Sequence, residues 1–142
     1  MAIPNPITAV VAFLKADAEV TTQVGTKVFG AELPDTETTN MPQKCLVVAP
    51  AGGPGGGLFG NSRMQLNRIR VDIKGYGTTP ETSWDVYHSA YDALKQLVQT
   101  KQGTVLLEDA SVAGGPVQLR DNDLEWPLVM GSFEVVVAEV AV

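Results

Sequence analysis

The sequence predicts an α+β fold, a mostly antiparallel β-sheet with two helices packed on one face. Three observations predict it. In two stretches the apolar residues step by three and four, which is the period of one helix face. Elsewhere they alternate, from Arg63 to Lys74 and from Leu128 to Val142, which is the period of a strand. The order of these patterns is helix, strands, helix, strands, which suggests helices segregated to one side of a sheet.

The first element opens at Pro4-Asn5-Pro6, after which Ile7, Val10, Val11 and Leu14 form one helical face. Gly25 and Gly30 bracket a short β-like piece around Val28 and Phe29. The stretch from Ala31 to Pro42, with its prolines and its Thr, Asp and Asn residues, reads as loop. Lys44 to Ala49 is a short apolar run, expected to be a buried strand. The glycine-rich segment from Gly52 to Gly60 is expected to be mobile. In the strand from Arg63 to Lys74, Met64 and Leu66 alternate in one phase and Ile69, Val71 and Ile73 in the other. That slip at Asn67-Arg68 predicts a β-bulge or a change of partner.

Gly75-Tyr76-Gly77 is expected to break this strand. A second helix follows, capped by Thr78 or Thr79, with Pro80 in its first turn and Glu81 placed for a capping box from Thr78. Trp84, Tyr87, Tyr91, Leu94 and Val98 are its expected core face, and Gly103 its expected end. Thr104 to Leu107 reads as a strand. Gly114-Gly115-Pro116 reads as a turn that lets Val117 to Arg120 pair back. Asp121-Asn122-Asp123 reads as another turn. In the last strand, Phe133, Val135 and Val137 alternate inward.

At 142 residues the chain is sized for one domain, 1–142, with one core. It is 18% charged, below the ~25% of ordinary soluble domains, and a charge-poor surface leans towards assembly with partners. A net charge of −6 argues against a protein that tracks nucleic-acid phosphates. From Gln102 onwards there are seven acids and one base, Arg120, so this part carries the whole net charge. The N-terminus lacks the pattern of a signal peptide, and no apolar run approaches the ~20 residues of a membrane span. The expectation is a protein made and assembled in a cytoplasm, with no membrane partner.

Enzymatic chemistry finds little support. Gly55, Gly57 and Gly60 satisfy G-x-G-x-x-G, but they lead into a β-pattern rather than a helix, so a dinucleotide site is rejected. Asn61-Ser62 stands where a phosphate loop needs Lys-Ser or Lys-Thr. Cys45, the only cysteine, sits in an apolar run and is expected to be a buried structural thiol. His88, the only histidine, has no cluster of metal-ligating residues around it in sequence. Asp121, Asp123 and Glu125 are spaced D-x-D-x-E, but the glycine and the later glutamate of a calcium loop are missing. The expectation is no catalytic residues, no cofactor and no metal.

Four stretches together carry a resemblance. They are VGTKVFGAELP (Val24 to Pro34), MPQKCLVVAPAGG (Met41 to Gly53), RVDIKGYGTTPETSWDVYHSAYDAL (Arg70 to Leu94) and GGPVQLRDNDLEWPLVMGSFEVVV (Gly114 to Val137). In order and spacing the chain resembles the tail terminator, or tail completion, proteins of long-tailed phages. The resemblance implies a non-enzymatic α+β subunit of a ring, usually a hexamer, assembled in the bacterial host cytoplasm into the virion. Such a ring caps the tube of major tail protein, stops its polymerisation and meets the head-side connector or stopper protein. DNA passes through the lumen without specific binding. The glycine-rich loop is longer than the family pattern. Two rivals stand beside this one: a head-side neck or stopper ring protein, and a small ligand-binding α+β domain.

The residues expected at partner interfaces are Leu58 and Phe59, apolar side chains within the glycine-rich loop, and the cluster of Asp121, Asp123, Glu125 and Trp126. Repeated around a ring, that cluster would give a band of negative potential, facing either the DNA path or a basic patch on a partner.

Overall fold

Residues 6–34, 37, 43–52, 66–102, 105–120 and 126–139 are described by the computed structural model. Helix α1 (Pro6–Ala16) buries Ala9, Val10 and Leu14, with Ile7, Val11 and Phe13 packed at the margin of the core. Asp17 separates it from a second helix, α2 (Ala18–Val24). The Asp17 carboxylate accepts hydrogen bonds from the backbone N–H of Glu19 at 2.9 Å and of Val20 at 3.1 Å, satisfying donors that a helix start leaves orphaned. Only Val20 and Val24 face inward from α2. Two apolar residues are too few for a periodic signal, so the expected pair of helices becomes three.

Strand β1 (Val28–Gly30) pairs in parallel with β2 (Cys45–Gly52). The rest of the sheet is antiparallel: β2 pairs with β3 (Leu66–Tyr76), and β3 with β6 (Pro127–Glu139). In turn β6 pairs with β5 (Val105–Arg120), and β5 with β4 (Thr100–Gln102). The six-stranded order is β1-β2-β3-β6-β5-β4. The predicted class, a mostly antiparallel sheet with helices on one face, is the one observed.

The third helix, α3 (Pro80–Lys95), lies on β3 and β6, and α2 packs against α3. Helix α1 touches β1 and β2 at one side of the sheet and β4 and β5 at the other. Under these helices lie Leu46, Val48, Val71, Ile73, Val129, Phe133, Val135 and Val137, all buried. A smaller apolar cluster, Cys45, Val47, Tyr76 and Leu128, lies on the opposite phase of the same strands. The helix-free face also carries Arg70, Asp72 and Lys74 opposite Glu134, Ser132 and Met130, and Ser132 Oγ donates to Asp72 Oδ1 at 2.6 Å.

Several sequence expectations are corrected. The β3–β6 register runs unbroken from Leu66 to Tyr76, so the expected slip at Asn67-Arg68 is not a bulge in that ladder. The irregularity falls in β2, between Pro50 and Gly52. Gly75 does not break β3: it pairs with both Leu46 and Val129. Its lack of a side chain admits α3, because a Cβ there would meet the Tyr87 backbone nitrogen at 2.8 Å. Gly114-Gly115-Pro116 does not turn the chain. It sits inside β5 between register shifts, as bulged backbone in one long strand. Strand β4 was not expected at all. It ends α3 early, at Lys95 rather than at Gly103.

The core face of α3 is also rotated from the one expected. Val86, Tyr87, Ala90, Ala93 and Leu94 are buried, and Leu97 beyond the helix joins them. Tyr91 is partly buried, whereas Trp84 is 39% exposed and Val98 is 74% exposed. Small residues at 83, 89, 90 and 93 let the helix press close to its neighbours, so the stripe centres on them rather than on the largest rings. Trp84 lies at the margin, its indole Nε1–H donating to Gln118 Oε1 at 3.2 Å.

The cap of α3 is Thr79, and its box partner is Thr82 rather than Glu81. The Thr82 N–H donates to Thr79 Oγ1 at 3.3 Å, and the Thr79 N–H donates to Thr82 Oγ1 at 2.9 Å. Thr79→Ala is expected to cost about 1 kcal/mol in denaturant unfolding. Glu81→Ala removes only a favourable charge from the first turn and should cost less. The reverse ranking would show that the cap is misassigned.

Candidate functional site

Among the described residues, nothing assembles into a catalytic constellation. Cys45 is fully buried between Val47, Tyr76 and Leu128, and burial pushes its thiol up to about 12. A thiol held neutral in this way is a packing residue rather than a nucleophile. The two buried serines are committed to their own helix, Ser83 Oγ donating to the Pro80 carbonyl and Ser89 Oγ to the Val86 carbonyl, each at 2.7 Å. His88 points outward. Its Nε2 lies 3.2 Å from Asp92 Oδ2, and its ring stacks on Tyr91 at 6.2 Å. No group of three or more His, Cys, Asp or Glu among the described residues is placed to hold a metal ion. No helix among them is long and apolar enough to cross a membrane.

The three concave features formed by described residues are shallow. A polar groove of about 240 Å³ between α2 and α3 is lined by Glu19, Thr22, Gln23, Asp85, His88 and Ser89. An apolar groove of about 390 Å³ runs between α1 and the β1 margin of the sheet. A recess of about 160 Å³ lies beside Tyr91, Val112 and Phe133. The first groove holds both Ser89 and His88, but Ser89 Oγ donates to the Val86 carbonyl and His88 Nε2 faces Asp92, so the two are not paired as nucleophile and base.

Of the residues singled out from sequence, Leu58, Phe59, Asp121, Asp123 and Glu125 lie outside the described residues. Trp126 lies within them. It is partly buried on the helix-free face, where it packs with Phe29, Leu33 and Met130 over the Cys45, Val47, Tyr76 and Leu128 cluster. This places it at the start of β6, directly after the acidic run.

The surface that sequence reasoning missed is the outer margin of β5. Strand β4 pairs only with Val105, Leu106 and Leu107. Beyond the contact of the Gln99 N–H with the Glu108 carbonyl, no described strand covers β5. Val112, Val117 and Leu119 are exposed there. The signal was present as an uncharged run from Ser111 to Leu119, hidden by reading Gly114-Gly115-Pro116 as a turn. On the helix-free face, Val117 pairs with Met130 and Leu119 with Leu128. An apolar band thus extends from the Cys45 cluster to the exposed margin.

The sequence matches no known protein family and no curated protein. Among solved structures, the fold is similar to a chain described as "Virion of native gene transfer agent (GTA) particle". The TM-score is 0.64 over 92% of this chain and 92% of that one, at 16% identity. At that identity the likeness is one of fold, and the fold it shares is that of a chain in a virion particle.

Proposed function

We propose that the chain is a non-enzymatic structural component of a phage-like virion. In this reading it is the subunit of a ring, hexameric by family pattern, that caps the tail tube, stops its polymerisation and joins it to the head-side connector. The observation that carries it is the end-to-end likeness of fold to a virion chain. The four sequence stretches that resemble tail terminator proteins point the same way. The shallow grooves, the committed serines and the neutral thiol fit a protein whose work is done by surfaces. The acidic C-terminal third suits a lumen along which DNA slides without adhering, since like charges are not attracted.

Mass photometry of the purified protein, alone and mixed with tail tubes, tests the reading. A closed oligomer that binds tube ends is expected; a ring that binds capsid connectors but not tubes would favour a head-side neck protein instead. Within the ring, changing Asp121 and Asp123 to Lys separates two uses of the acidic cluster. If the cluster lines the DNA path, tails terminate normally and DNA passage is hindered. If it docks on a basic partner, attachment fails, and added salt weakens the unmodified contact. Deleting Gly55 to Phe59 should impair joining while leaving the subunit folded. Normal joining by that variant would remove Leu58 and Phe59 from the interface.

A further inference from the structure

The two side margins of the sheet carry features that match each other. On one, β5 continues past β4 with an edge that no described strand covers, uncharged from Ser111 to Leu119. Open edges invite pairing with another chain, and proteins commonly blunt them with charged side chains. Here the edge is interrupted only by bulges and Pro116, and it leaves Val112 47% exposed. On the other margin lies the apolar groove lined by Ile7, Thr8, Val11, Gly30, Ala31 and Pro50, again without a charge. Gly30 opens its floor: a Cβ there would meet the Ile7 side chain at 3.1 Å.

The faces agree as well. Val112 pairs with Phe133, whose side chain lies under the helices, so Val112 projects on the helix-bearing side of the sheet. The groove lies on that same side, between α1 and the sheet. A second copy can therefore continue the sheet sideways with its helices on the same side, placing Val112 of one copy against α1 of the next. Each copy has one such edge and one such groove, at opposite ends of the strand order. The contact is heterologous, and a heterologous contact whose rotation closes makes a ring.

We propose that the β5 edge around Val112 docks into the α1–β1 groove of a second copy of this chain. The proposal rests on the ring reading above and names the surfaces that would build the ring. Two half-blocked variants test it, Val112→Lys on the edge and Thr8→Lys in the groove. Both positions are exposed, so each variant should keep the wild-type circular dichroism and melting temperature. Each alone should need roughly tenfold or more higher concentration to assemble, because a lysine would be placed in an apolar contact. An equal mixture should form a two-subunit complex that grows no further, since the one good edge and the one good groove are joined and only the two blocked surfaces are left.

A Thr8→Cys/Val112→Cys chain should give a ladder of disulfide-linked multimers on mild oxidation, with the buried Cys45 taking no part. Neither single-cysteine variant should give one. Rings that form unhindered in both lysine variants and give no ladder would overturn the docking while leaving the ring reading intact. Dimers from Val112→Cys alone would show paired β5 edges, and crosslinks to tube protein would show a different occupant; either overturns the proposal. A ladder with blocked assembly but no binding to tubes would sustain the docking and count against the tail reading. A wild-type protein that stays monomeric with and without tubes would overturn both.

Discussion

Gly131→Ala is expected to destabilise the fold by about 3 kcal/mol, at the upper end of overpacking penalties and in the range for loss of a buried aromatic ring. A Cβ at Gly131 would land on the Tyr87 hydroxyl and lie 2.8 Å from its ring Cζ. The ring has little room to retreat. Tyr87 is 3% exposed, with the rings of Trp84, Tyr91 and Phe133 all within 6.5 Å of its centre. Its backbone cannot retreat either, because α3 is seated directly on Gly75, where even a Cβ would reach the Tyr87 nitrogen. Either β6 shifts or the ring leaves the core, and both outcomes lose packing.

The hydroxyl supplies a control. It is buried and has no hydrogen-bond partner among the described residues. Removing such a group costs little, because no hydrogen bond is lost with it. Tyr87→Phe should therefore be close to neutral alone, and it should recover part of the loss in the Gly131→Ala background. Urea unfolding of the four proteins gives the coupling, expected at roughly 1 kcal/mol or more for residues in contact. Simple additivity would mean that the new methyl clashes elsewhere.

How far the fold was legible in the sequence depends on where the determining contacts lie. Strand β6 could be read because it is central, and Phe133, Val135 and Val137 alternate against one continuous helix layer. Helix α1 could be read from Val10 and Leu14 in the same way. Strand β5 could not. Its second half has no described strand on its outer side and little burial, so no periodic pattern records it, and local turn chemistry at Gly114-Gly115-Pro116 suggested the wrong geometry. The stripe of α3 was misread for a related reason. Large aromatics dominate a periodicity count, but close helix packing is set by Ala90, Ala93 and the glycines opposite Tyr87, which carry almost no hydrophobic signal. The open edge and the groove that the docking proposal joins are properties of sheet order, which no single segment encodes.

Alkaline pH should weaken the fold through Cys45 more than through any other single thiol or phenol described. Burial raises the Cys45 pKa from its ordinary 9.0 to about 12 and also raises that of Tyr87, with the neighbouring Tyr91 adding to the second shift. Both groups are acids that the folded state keeps protonated after the unfolded chain has released the proton. The unfolded state then binds fewer protons, so stability falls as pH rises. The loss begins near pH 9.0, where the unfolded thiol titrates, and stops near pH 12, where the folded thiol does. Within that window the Cys45 contribution is about 1.4 kcal/mol per pH unit, of the order of 4 kcal/mol in all. Cys45→Ala should be less stable than wild type at neutral pH, because the Val47, Tyr76 and Leu128 cluster loses a packed side chain. Its stability should nevertheless fall less steeply above pH 9.0. Denaturant midpoints of the two proteins, taken in steps through this range, separate packing from titration, since packing moves the curve and titration changes its slope. Parallel curves would show that the thiol is open to solvent as it ionises, and that Trp126 and its neighbours do not seal the helix-free face over it.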